Sequence, residues 1–257
     1  MEGSKMEKVT DRGILGGLWN LVSMETGRWI QTRRWLTNSL IYLSTFQFFI
    51  LSSLLSSPYR LYPQIGIRQL IGLVPVFVPI AVVVLLQNEV IKEKELGTMA
   101  WVLTSPVNRS TFIVAKYLVN ILWALTLTVV IEFASCWFIF PVLSQTLPPI
   151  NVYLASMGVN MLYALFFITL TLMLGCFLRS RGAVIGIPLI SFIAQLWFEG
   201  ELVNRGLLKF VPISLNNVTE AWLSFRQADF LIPVAAVSAY CIIFVAASIW
   251  RIRREQF

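Results

Sequence analysis

The sequence predicts an all-helical integral membrane protein, and three observations predict it. Of its 257 residues 57% are apolar and 13% charged, where a soluble domain carries about a quarter charged residues. The apolar residues gather in runs that match the ~20 helical residues a bilayer core requires, because lipid offers no partner to an open backbone N–H or C=O. The 20 basic residues fall unevenly among the connecting segments, which is the bias that sets orientation.

Residues 1–34 read as a polar segment leading into an interfacial helix, and 35–257 as one transmembrane domain. Ile14, Leu15, Leu18, Val22 and Trp29 recur at near-helical spacing, and Trp19, Trp29, Trp35 with Arg28, Arg33 and Arg34 suit the headgroup layer. No apolar run of signal-peptide length occurs in the first thirty residues, so cleavage is not expected. Six spans follow, near 35–55, 70–88, 113–139, 151–177, 183–198 and 230–250. The fifth has only 16 residues. With both ends cytoplasmic, 15 basic residues lie inside and 5 (Arg60, Arg68, Arg205, Lys209 and Arg226) outside. Deleting the fifth span would carry Arg251, Arg253 and Arg254 outside, so the charge pattern retains it. The net charge of +7 is thereby an orientation signal, and nucleic acid is not an expected partner. Between spans five and six an external segment with Pro212 suggests one or two short helices.

Several chemistries are excluded. The chain has no histidine, which removes imidazole triads, HExxH zinc chemistry and histidine proton relays. Cys136, Cys176 and Cys241 lie inside spans and read as apolar thiols; no metal site is expected. No phosphate-binding loop occurs, so any nucleotide that drives the protein binds another chain. No catalytic residues are expected either, which leaves transport ahead of an intramembrane enzyme.

The informative segment joins spans two and three. Glu89, Lys92, Glu93, Lys94 and Glu95 extend span two out of the lipid as a charged helix. Gly97 and Thr98 break that helix and cap a new one, in which Met99, Trp101, Val102 and Leu103 present apolar surface until Pro106 stops it. A short helix with such a face lies on the membrane, packs under its own bundle, or enters a groove on a partner.

Here the residues resemble a known family. Glu-Lys-Glu-Leu-Gly-Thr at 93–98, then Leu103, Ser105-Pro106-Val107, Arg109 and Lys116 are similar to the cytoplasmic loop of type-2 ABC transporter permeases, and the six-span layout with both ends inside is similar too. The resemblance implies the membrane subunit of an exporter in the cell membrane, plasma or inner. It implies two permease copies, alike or different, working with a separate ATPase subunit that carries ATP and Mg; the permease chain itself holds no cofactor. It also implies that Glu93, Glu95, Gly97, Thr98, Trp101, Leu103, Pro106 and Arg109 couple the ATPase to the spans. A secondary transporter or channel independent of ATP is the alternative.

Within the spans, polar groups are few. Glu132 in span three is the one clear intramembrane acid; it either meets cargo or serves as a structural hydrogen-bonding group. Gln47 and Gln195 are the other candidates for the substrate pathway, with bridging between helices, as for Asn160, the alternative role. Gly182 and Gly186 form a Gly-x-x-x-Gly pair suited to close helix packing, inside the bundle or at a dimer seam.

Overall fold

The computed structural model describes residues 17–56, 65–95, 109–143, 145–224 and 226–254. It is all-helical among those residues. In chain order the helices are α1 (Leu18–Gln31), α2 (Arg34–Ser56), α3 (Ile65–Leu86), α4 (Ile91–Glu95), α5 (Arg109–Leu125) and α6 (Ile131–Val142). They continue as α7 (Ile150–Phe177), α8 (Arg181–Trp197), α9 (Glu199–Asn204), α10 (Ser214–Leu223) and α11 (Leu231–Arg254). A π-helical turn, Thr126–Val130, joins α5 to α6 in one rod, and a 3-10 turn, Leu208–Phe210, lies between α9 and α10.

Among the described residues five helical stretches are long and apolar enough to cross a membrane: Trp35–Leu55, Gly66–Glu93, Ser110–Val142, Ile150–Phe177 and Leu231–Arg254. The protein is thus a multi-pass membrane protein. α8 is apolar but, at 17 residues, shorter than these. The best-enclosed rod is α7, which buries side chains on every face, among them Tyr163, Phe166, Phe167 and Ile168. Around it the outward faces carry Leu122, Phe138, Ile242, Ile243 and Trp250, as expected of a surface whose solvent is lipid.

Two ends of the bundle can be told apart by what touches there. At one end Arg28 of α1 reaches Glu93 of α4, Lys116 near the start of α5 reaches Glu93, and Arg253 at the end of α11 donates to Ser110 Oγ at 2.8 Å. At the other end the N–H of Gly66 donates to Gln145 Oε1 at 3.0 Å, joining the start of α3 to the segment after α6. The chain-terminal end of α11 and helix α1, which leads into α2, therefore lie at the same end of the bundle, the one whose charged groups are buried.

Proline and glycine organise the packing. Pro79 inside α3 cannot donate to the carbonyl of Pro75, four residues earlier, and an orphaned carbonyl is costly away from water. Tyr163 of α7 supplies the missing donor, its hydroxyl reaching Pro75 O at 3.1 Å. Gly175 meets Val90, whose Cβ would stand 3.0 Å from a Cβ added at Gly175. Span two does not continue as one straight charged helix: α3 ends at Leu86, and a hydrogen-bonded turn intervenes before α4. That turn carries Val90 onto α7 and swings Glu93 inward.

The helices between α8 and α11 are present, and α10 is tucked into the bundle instead of lying on its surface. Leu215, Val218, Thr219 and Leu223 are buried, and Asn160 of α7 donates to Thr219 Oγ1 at 3.2 Å.

Candidate functional site

The site is built where the chain enters and leaves residues 96–108. On α1, Leu21, Glu25 and Trp29 follow one another at a spacing of four and form its buried face. The carboxylate of Glu25 on that otherwise apolar face finds the ammonium of Lys116 at 3.4 Å, both groups being almost fully enclosed. Lys116 lies 3.1 Å from Glu93 Oε1 as well. Arg28 completes the set, 3.1 Å from Glu25 Oε1 and hydrogen-bonded to Glu93. Burial works against the charge of Arg28, but its hydrogen bond to Glu93 and the charges of Glu25, Glu93 and Glu89 outweigh it, so its pKa lies above the ordinary arginine value.

Aromatic contacts fix the same junction. Trp29 Nε1 donates to Asn120 Oδ1 at 3.2 Å, while Asn120 turns its own amide back to Lys116 O at 2.9 Å. Trp29 stacks on Trp123 with centroids 5.8 Å apart and planes 5° apart, and Trp35 meets Trp123 at the same centroid distance with its plane tilted by 40°. α1 is thus bolted along the first turns of α5 and reaches across to α4. The arrangement ties three elements at one point: the helix before the loop, the helix after it, and the N-terminal helix. The ion pairs join the residues that flank 96–108 to α1; we call this set of contacts the latch.

Residues 30–257 match the family described as Protein of unknown function (DUF2705). The chain belongs to that family. Among curated proteins none matches it. In this DUF2705 chain the match begins at Ile30, so it covers the whole bundle and only the last turn of α1.

Of the loop residues singled out in the sequence, Glu93 sits at the centre of the latch, Glu95 closes α4 and Arg109 opens α5. Gly97, Thr98, Trp101, Leu103 and Pro106 lie outside the described residues. Sequence reasoning passed over Glu25 and gave Lys116 no partner. The signal was there: one acid at the centre of an apolar helical face, and one lysine set inside an apolar run.

The span residues separate into two kinds. Gln195 bridges elements, its Oε1 accepting the N–H of Ile213 at 3.1 Å and so tying α8 to the segment before α10. Gln47 bridges helices too, its amide nitrogen donating to Ser135 Oγ at 2.6 Å. Glu132 is different: it is buried, and neither carboxylate oxygen has a hydrogen-bond partner among the described residues. Among the described residues outside its own helix backbone, an added Cβ at Gly186 meets nothing within 4 Å and one at Gly182 meets Ser180 Oγ at 3.8 Å. Close approaches among the described glycines fall at Gly66 and Gly175.

Proposed function

We propose that the chain is the permease subunit of an ATP-driven exporter of the type-2 ABC kind, forming the membrane pathway while a separate ATPase subunit binds ATP and Mg. The observation that carries this reading is the latch. A loop that delivers force from a partner to two spans must have its ends joined, or the partner would bend the loop and leave the bundle at rest. Glu93 and Lys116 join them, and Glu25 and Arg28 add α1 to the same body. Closure of the ATPase pair pushes on residues 96–108, the latch moves α4, α5 and α1 together, and α3 with the α5–α6 rod re-tilts to open the pathway outward.

Six spans with both ends in the cytoplasm fit this role. Parity supports the count: the first and last long helices meet the charged end, so the crossings between them are even in number, and α8 is needed beside the five long helices. Its 17 residues rise about 25 Å, a shortfall that local thinning of the bilayer accommodates. The open face of Gly182 and Gly186 is left for a second permease copy, and the cell membrane is the setting.

Purification of the full-length chain from its own membranes in mild detergent tests the reading. A stoichiometric ATPase chain in the complex, and transport that stops when ATP is depleted, are the expected results. No such chain, with transport indifferent to ATP, would leave an ion-driven carrier, the second reading, which the unpartnered Glu132 favours.

A further inference from the structure

Where α2 faces α6, three acceptor atoms lack a donor among the described residues. Two are the carboxylate oxygens of Glu132, a residue 1% exposed. The third is Oε1 of Gln47, left open while its amide nitrogen holds Ser135. Ser135 follows Glu132 by three residues in α6, so the two share a helix face, and Gln47 is held on that face from α2. Tyr42, Cys136 and Tyr153 lie within electrostatic reach of Glu132. No basic side chain among the described residues acts on it.

A cavity of about 260 Å³ lies between α2, α3 and the π turn, and its nearest lining residue on the rod, Thr128, is one turn before Glu132. Phe77, Ile80, Val84 and Leu127 line it, with Asn38, Ser39, Tyr42, Thr45 and Thr128 as its polar members. Tyr42, which donates to Thr128 O at 3.3 Å, touches the cavity and senses the acid. The π turn, a form that often marks functional sites, sets this stretch of the rod apart from its neighbours.

We infer that Glu132 and Gln47 form the headgroup site for a lipophilic primary ammonium whose alkyl part lies in the cavity; the inference rests on the exporter reading and names its class of cargo. An –NH3+ group carries three donors and no acceptor, which matches three orphan acceptors. Its charge answers a carboxylate that low dielectric would otherwise leave unbalanced. A hydroxyl brings one donor and no charge, and a quaternary ammonium brings charge without donors.

The test measures saturable binding of tritiated decylamine to the full-length chain in phosphatidylcholine nanodiscs, without ATP or ATPase. Wild-type protein binds it saturably, and decanol and decyltrimethylammonium fail to displace it at equal concentration. Glu132→Gln, which keeps the side-chain shape, weakens binding about thirtyfold or more, as loss of one partner in a buried charge pair does. Ala81→Phe, filling the cavity from its wall, weakens it without touching the acid. Absence of a saturable component, equal binding by Glu132→Gln in protein with an unchanged melting profile, or equal displacement by decyltrimethylammonium would overturn the inference. Displacement by ammonium chloride at equal concentration would mark a site for the bare ion and overturn the lipophilic part. Failure here leaves ATPase partnership untouched, and absence of an ATPase from the purified complex leaves this binding result standing, so the two readings fail separately.

Discussion

Lys116 and Arg28 contact the same two carboxylates, yet they do not matter equally. Lys116 is 1% exposed and Arg28 about half exposed, and water screens the second pair but not the first. Lys116→Met leaves Glu25 and Glu93 enclosed without their buried cation and is expected to cost about 3–5 kcal/mol. Arg28→Ala is expected to cost no more than about 1 kcal/mol. Thermal unfolding of the two variants in one detergent checks the ranking; equal costs would contradict it. The glycines give a second pair. Gly175→Ala drives a methyl against Val90 and is expected to destabilise by about 1–3 kcal/mol, whereas Gly186→Ala meets open space within the chain and gains helix propensity. At this scale the sequence was legible in its residue types and silent on their partners. The Gly-x-x-x-Gly spacing marks a smooth helix face without saying what approaches it; Gly175 carries no such spacing, and its close contact depends on the bend at Val90.

Among the elements, α3 illustrates how a broken helix is repaired inside a bundle. Pro79 removes the donor for Pro75 O, and Tyr163 restores it from α7. Tyr163→Phe is expected to cost about 1 kcal/mol, in keeping with hydrogen bonds between membrane helices. In a Pro79→Ala background that cost should shrink toward zero, because the new N–H serves the carbonyl itself. A double-mutant cycle on thermal stability measures this, and additive costs would refute it. The long helices were readable because length and hydropathy are local properties. The docking of α1 was not: its tryptophans and arginines suit a headgroup layer equally well, and the pairing of Glu25 with Lys116, about ninety residues apart in sequence, with that of Trp29 and Asn120, tells docking from floating. α10 was obscured similarly, because a mixed polar and apolar segment reads as superficial until Asn160 is seen to hold Thr219.

For the whole molecule, the all-helical membrane class followed from composition, because apolar content and run length are properties of the chain itself. The latch lies at the charged end of the bundle, and Glu132 sits farther along the rod that carries Lys116, with Gln47 facing it from α2. Lys116, the π turn and Glu132 all lie on the stretch Ser110–Val142, which is the route the proposed coupling would take to the acid. The central claim is that residues 96–108 carry work from an ATPase into this rod. ATP hydrolysis by the purified complex, compared between wild type, Trp101→Asp with Leu103→Asp, and Glu132→Gln, tests it most directly. The account predicts that the loop variant loses its ATPase subunit or falls at least about tenfold in hydrolysis, an energetic loss of ~1.4 kcal/mol or more, while Glu132→Gln keeps the subunit bound. A loop variant that retains both its partner and the full rate of hydrolysis would contradict it.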